Sequence, residues 1–193
     1  MTTTTVPTGR LERAQAPGPV LTESTARVLA VLRITTGFIF LWAVLDKTFG
    51  FGYVTPAAKA WINGGSPTKG FLSFVEVGPL QGFFHSIAGN SLVDWLFTLG
   101  LLGIGVALVA GIGMRIAAVA TTVMMAGMWL AEFPLAQTTA AGKPSMSTNP
   151  LIDYHVIYAL AAIVLALAYA GHTWGLGRLW ARLPFVQKNR WLI

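Results

Sequence analysis

Three apolar segments of the sequence each carry an aromatic and an ionisable residue near one end. The spacing puts the members of each pair on one helical face: Trp42 with Asp46, Trp129 with Glu132, and His155 with Tyr158, with Asp153 beside the last pair. Ionisable residues within a membrane are energetically costly and mark candidate functional sites. A pocket with aromatic walls, a histidine and carboxylates can hold a quinone head group, hydrogen-bond its carbonyl oxygens and exchange protons during its reduction.

We therefore predict two groups of functional residues around a bound quinone. The catalytic candidates are His155, Asp153, Glu132 and Asp46, and the quinone-binding candidates are Trp42, Trp129, Tyr158 and Arg33. A purely interfacial role stays open for the same residues, because Trp and Tyr are enriched at membrane interfaces whatever the function. Asp153 also complements the dipole of a helix in its first turn, and Asp46 with Lys47 can end a helix among the lipid headgroups.

Arg33 lies well inside an apolar segment, beyond Arg27 on the same predicted helix. Its long side chain can snorkel back to the lipid headgroups. It can instead be held within the protein by backbone carbonyls, by hydroxyls or by a lipid phosphate. No acidic residue of the later segments lies at its depth, so we expect no ion pair.

Metal and haem sites are not expected. The sequence has no cysteine, which excludes dithiol chemistry, thiolate-held iron–sulfur clusters and covalent c-type haem. Of the three histidines, only His85 and His155 fall toward the same side of a membrane, with His172 at the other side. Haem held by two histidines needs a pair that face each other across a bundle. We therefore expect quinone as the one cofactor.

Membrane-spanning helices are the elements that position these residues. The 193 residues are 54% hydrophobic and 10% charged, whereas soluble domains carry about 25% charged residues. Four apolar runs are near the length of about 20 residues that crosses a bilayer; they cover residues 27–46, 91–110, 114–133 and 150–171. The sequence thus predicts an all-α fold, an integral membrane four-helix bundle in a domain over residues 26–172.

The connections between the predicted spans differ in character. Two glycines in the connection 111–113 predict a tight hairpin between antiparallel helices. Residues 47–90 are aromatic and broken into pieces too short to cross a membrane, which predicts short interfacial helices that cap the outer face of the bundle. Residues 173–193 interleave tryptophans with basic residues, which predicts an interfacial C-terminal tail.

The distribution of basic residues predicts the orientation of the chain. Cytoplasmic connections carry an excess of Lys and Arg, which places both termini in the cytoplasm of a multi-pass protein of a bacterial plasma membrane. The Thr- and Pro-rich residues 1–25 then form a disordered cytoplasmic tail. Anionic membrane lipid is the partner that explains the net charge of +6, and no nucleic-acid partner is expected. The cytoplasmic basic residues are Arg10, Arg13, Arg27, Arg115, Arg178, Arg182, Lys188 and Arg190, against Lys47, Lys59, Lys69 and Lys143 outside.

Four stretches of the sequence are similar to one family of membrane proteins. LRITTGFIFLWAVLDK resembles the first-helix pattern of the DoxX/DoxD-like proteins, carried by Arg33, Gly37, Phe40, Leu41 and Lys47. AGIGMRIAA resembles the Gly-then-Arg hairpin between helices two and three of that family. NPLIDYHVIYALAAIVLAL and GHTWGLGRLW resemble the last helix and tail of its actinobacterial-looking members. The resemblance runs from about residue 28 to the C-terminus.

This resemblance implies a four-helix bundle and a redox activity. The named activity of the family is that of the membrane subunit of thiosulfate:quinone oxidoreductase, which works with a second subunit, oxidises thiosulfate to tetrathionate and passes electrons to quinone. We therefore expect a quinone-interacting oxidoreductase subunit with thiosulfate as the implied electron donor. A non-catalytic membrane anchor or scaffold for a soluble redox enzyme is the alternative, and a small-molecule transporter is a third. A homo-oligomer stays open.

Overall fold

The structure, a computed structural model, describes residues 21–145 and 147–193, which form helices and loops but no β-strand. This confirms the all-α prediction. Short 3₁₀ helices lie at Ala57–Lys59, Trp61–Asn63, Ala170–His172 and Arg190–Leu192. The α-helices of these residues are α1 (Glu23–Phe49), α2 (Lys69–Leu72), α3 (Gln81–Ile87), α4 (Ser91–Ala110), α5 (Met114–Glu132), α6 (Tyr154–Leu167), α7 (Gly177–Trp180) and α8 (Pro184–Lys188).

The first long helix is longer than the sequence predicted. Residues 1–20 of the predicted tail 1–25 lie outside the described residues. The last part of that predicted tail, from Glu23, is helical. The side-chain oxygen of Thr22 accepts the backbone N–H of Thr25 and so caps the first turn of α1. At the other end, Gly50 takes the left-handed conformation that stops a helix.

Three helices, α1, α4 and α5, are long and apolar enough to cross a membrane. The bounds of α4 coincide with the prediction, and those of α5 differ from it by one residue. The predicted fourth span, residues 150–171, is α-helical only over Tyr154–Leu167. Its 14 residues rise about 21 Å, less than the roughly 30 Å of a hydrocarbon core. The later start arises because Asp153 caps α6 one turn after the Asn149–Pro150 pair, and the earlier end because Tyr169 takes the left-handed conformation.

The four long helices share one apolar core. Helix α1 packs against α4, α4 against α5, α5 against α6, and α6 also contacts α1. Side chains such as Phe40, Leu108 and Leu165 are buried between them. Many large apolar side chains of α1, α4 and α5 are instead exposed on the outside of this core. An apolar outer surface of this extent suits contact with lipid rather than with water.

Arg33 lies at one end of these helices and is fully buried. Its guanidinium donates to the backbone carbonyls of Leu108 and Val109 at the end of α4, and to those of Thr173 and Trp174 after α6. The sequence left several environments open for the Arg33 side chain, and the structure shows that backbone carbonyls bind it. We call this end of the helices the Arg33 end and the opposite one the His155 end.

The first connection folds over the His155 end. It contains α2, α3 and two 3₁₀ helices, so short helices are present where the sequence predicted them. Leu72, Val75 and Phe84 from this connection form a second apolar cluster with Ala131 of α5. The connection is also tied to the start of α4, because the buried carboxylate of Asp94 accepts hydrogen bonds from Ser66 and Thr68.

Replacing Asp94 with alanine is expected to destabilise the protein by about 2 kcal/mol, because the buried amide and hydroxyl of Thr68 lose their acceptor. Asp94→Asn keeps one acceptor oxygen and should therefore lose less stability than Asp94→Ala. The measurement is the midpoint of thermal unfolding in detergent, together with protease cleavage of the first connection. An Asp94→Ala protein that unfolds with the wild-type midpoint would contradict this role.

Candidate functional site

A group of polar side chains meets where α5 ends and α6 begins. Glu132 is the last residue of α5, Asp153 caps α6, and Tyr154 and His155 are the first two residues of α6. Glu132, Asp153 and His155 each offer one possible ligand atom, and these three atoms lie within 4.8 Å of one another. We call these four residues the polar cluster.

Two hydrogen bonds hold the polar cluster together. The Oη of Tyr154 donates to Oε1 of Glu132 at 2.7 Å, which joins α6 to α5. The Nδ1 of His155 lies 2.9 Å from Oδ2 of Asp153. The other carboxylate oxygen of Asp153, Oδ1, accepts the backbone N–H groups of His155 and Val156. The capping role of Asp153 therefore also orients its free oxygen toward the imidazole.

The ring of His155 is buried, with 0% of its side chain exposed. Its Nε2 atom has no hydrogen-bond partner among the described residues. The ring of Tyr154 lies against it, with the two ring centroids 4.0 Å apart. A buried polar atom without a partner is unusual in a folded protein and calls for an explanation, since it has lost its hydrogen bonds to water.

A cavity of about 510 Å³ lies beside the polar cluster. Glu132, Asp153 and Tyr154 form part of its wall. The rest comes from α2 and the residues that follow it, which contribute Phe71, Phe74 and Glu76 among others, and from the connection between α5 and α6. Its volume is within the range of about 300–1,000 Å³ that is usual for small-molecule sites.

The charges on the cavity wall are of one sign. Glu76, Glu132 and Asp153 line it, whereas none of the described lining residues is Lys or Arg. Three carboxylates repel a dianion such as thiosulfate and accept a neutral or cationic molecule more readily. The aromatic rings of Phe71, Phe74 and Tyr154 add flat apolar surface to the same wall.

Two further predicted residues lie next to the polar cluster. The indole Nε1 of Trp129 donates to the backbone carbonyl of Leu151, just before α6. Tyr158 packs between the rings of Phe40 and Tyr154. The structure thus places Trp129 and Tyr158 near Glu132, Asp153 and His155.

The remaining three predicted residues lie apart from the polar cluster. The carboxylate of Asp46 accepts the backbone N–H groups of residues 53–55 and so holds the start of the first connection. Trp42 stacks on Phe51 and meets Tyr53 edge to face. Arg33 lies at the other end of the helices, where backbone carbonyls occupy its guanidinium.

Two residues of the site were not singled out from the sequence. Tyr154 links Glu132 to α6, and Glu76 adds a carboxylate to the cavity wall. The position of Tyr154 between two candidate residues, in the run Asp153-Tyr154-His155, was a usable signal. Glu76 offered none, because it comes close only when the first connection folds over the His155 end.

Comparison of the chain with family models, with curated proteins and with solved structures finds no match.

Proposed function

We propose that this chain is a DoxX/DoxD-like integral membrane protein of a bacterial plasma membrane, a four-helix bundle with both termini in the cytoplasm. Three spanning helices and the packing of α6 against them support the bundle. Residues 168–172 follow α6 and include the 3₁₀ helix Ala170–His172, which would lengthen its path across the bilayer. On this topology the His155 end faces outward, and the first connection with its short interfacial helices covers it.

The activity that the site supports best is quinone binding and reduction as a subunit of an oxidoreductase. The observation that carries this proposal is the polar cluster beside a cavity of about 510 Å³ at one end of apolar helices. A quinone head group is neutral, flat and conjugated, so it suits a wall of aromatic rings and carboxylates better than an anion does. Its apolar tail would extend between the lipid-facing helices.

The reduction of a quinone consumes two electrons and two protons and yields the quinol. In the thiosulfate reaction that the sequence resemblance implies, two thiosulfate ions join through one S–S bond, form tetrathionate and release two electrons. Since the cavity wall is negatively charged, we assign thiosulfate oxidation to a second subunit and quinone reduction to this chain. The role of the polar cluster is then to hydrogen-bond the head-group oxygens and to pass them protons.

Purification in mild detergent, followed by mass spectrometry of bound lipid and of co-purifying proteins, tests this proposal. We expect near-stoichiometric quinone in the wild type and in Glu23→Gln, which changes an exposed carboxylate in the first turn of α1, outside the cavity wall. His155→Gln is expected to reduce the bound quinone at least tenfold and to abolish quinone reduction. A quinone-free protein in fixed ratio with a soluble redox enzyme would overturn the proposal and support a membrane anchor.

A further inference from the structure

We infer that Glu132, Asp153 and His155 form a binding site for one divalent first-row transition-metal cation, with Zn²⁺ as the representative ion. These residues offer one nitrogen and two carboxylate oxygens, and the three atoms lie within 4.8 Å of one another. Imidazole and carboxylate are the donors that bind Zn²⁺ and Mn²⁺ in proteins, whereas Mg²⁺ and Ca²⁺ prefer oxygen alone.

The buried imidazole of His155 is the second observation that points to a ligand. A neutral imidazole carries one N–H and one lone pair. At present one ring nitrogen meets Asp153 and the other meets no partner among the described residues, although the whole ring is buried. Nδ1 is the nitrogen that lies beside the carboxylate of Asp153, so an ion bound by both residues would take the place of their hydrogen bond. Metal binding would therefore engage a buried nitrogen donor that already lies next to a carboxylate oxygen.

The charge of the site fits a divalent cation. Two carboxylates approach each other here, and no Lys or Arg of the described chain lies within ion-pair distance of either. Two ionised carboxylates together carry the charge that one divalent cation balances.

Neighbouring groups already orient both carboxylates. Tyr154 donates to Oε1 of Glu132, and two backbone N–H groups at the start of α6 donate to Oδ1 of Asp153. These donors hold one oxygen of each carboxylate, and the second oxygen of Asp153, Oδ2, meets Nδ1 of His155, the third proposed ligand. Supporting hydrogen bonds of this kind fix the ligands of metal sites, and their loss typically lowers affinity 10- to 100-fold.

The coordination number follows from the three side chains. Ligands at roughly 2.0–2.2 Å from a tetrahedral Zn²⁺ lie about 3.5 Å apart, so small side-chain rotations close the present spacing around an ion. A fourth position would remain. Because Glu132 and Asp153 both line the cavity, that position would be open to a small molecule bound there.

Metal binding goes beyond the proposed function and does not rest on it. The two share residues, yet the cation can be measured on the purified chain without quinone and without an electron donor. A chain that binds Zn²⁺ and carries no quinone would uphold the metal site and overturn quinone reduction. A chain that carries quinone and binds no Zn²⁺ would uphold the quinone site and overturn the metal site.

The test uses the full chain in detergent, free of any affinity tag, stripped with EDTA and titrated with ZnCl₂. We expect one Zn²⁺ per chain by elemental analysis after desalting and a measurable Kd by calorimetry. Glu132→Gln, Asp153→Asn and His155→Gln are each expected to weaken binding at least 100-fold. Tyr154→Phe should weaken it about 10-fold, because Glu132 loses its orienting hydrogen bond. Glu23→Gln, which removes an exposed carboxylate in the first turn of α1, is the matched control and should bind like the wild type.

Folding and ligand identity are controlled in the same series. Asn caps helices as well as Asp does, so Asp153→Asn should keep the thermal midpoint of the metal-free wild type. Co²⁺ in place of Zn²⁺ gives visible absorption bands that report nitrogen coordination, and these should change in His155→Gln. Stoichiometric binding that survives all three ligand substitutions, or no binding by a folded wild-type chain, would overturn the proposal.

Discussion

Replacing Arg33 with methionine is expected to cost roughly 3–5 kcal/mol of stability, because buried carbonyl oxygens lose their donor and each such loss costs about 1–3 kcal/mol. The guanidinium is fully buried and reaches carbonyls of two chain segments, the end of α4 and the residues after α6. Methionine fills a similar length but donates no hydrogen bond. The segment around Trp174 should therefore detach from α4 first.

Thermal unfolding in detergent and limited proteolysis of the C-terminal tail measure this effect. The matched control is Arg27→Met on the same helix, since Arg27 is largely exposed and, within the described part of the chain, pairs only with Glu23 one turn away. An exposed pair of this kind contributes about 0.3–0.5 kcal/mol. Arg33→Lys should fall between the two, because an ammonium cannot span both sets of carbonyls. Equal stability of Arg33→Met and Arg27→Met would show that the contacts of Arg33 with the carbonyls do not stabilise the protein.

Replacing Gly171 with alanine is expected to destabilise the protein by about 2–3 kcal/mol through overpacking. A Cβ at this position would lie 2.3 Å from the carbonyl oxygen of Gly111 and 3.0 Å from its carbonyl carbon. Both atoms belong to the backbone, so no side-chain rotation relieves the clash. Gly111 lies in the α4–α5 turn with φ of 72° and cannot move without disturbing that turn.

Gly127→Ala on α5 is the control for this substitution. A Cβ there meets no atom within 4 Å, and alanine favours a helix over glycine by about 0.5–1 kcal/mol. We expect Gly127→Ala to raise the thermal midpoint slightly and Gly171→Ala to lower it clearly. If both variants shift the midpoint in the same direction, the close approach of Gly171 to Gly111 is not a source of stability.

The long helices were predictable because their signals are local. Asn90 caps α4 through its side chain, Gly111 ends it, and an unbroken apolar run lies between. The prediction of α4 therefore matched the structure at both ends. For α6 the local signals competed: Asn149 also accepts two backbone N–H groups, and the later cap at Asp153 is the one that starts the helix.

The candidate site was predictable in part. Helical spacing determines which side chains share a face, and the length of an apolar run determines their depth, so Glu132, Asp153 and His155 could be expected at one level. Depth alone does not determine which residues at that level touch. Asp46 lies near the end of its helix as predicted, but the first connection folds back and occupies its carboxylate with backbone N–H groups.

The amino-acid sequence by itself determined that this is an all-α protein with helices long and apolar enough to span a membrane and with ionisable groups at their ends. Composition and periodicity suffice for that, because the cost of placing polar groups in lipid acts on each segment separately. The tertiary structure alone decided that Tyr154 joins Glu132, that Glu76 borders the cavity and that Arg33 is buried under carbonyls. These contacts join residues far apart in the chain, and their geometry depends on how the helices and loops pack together.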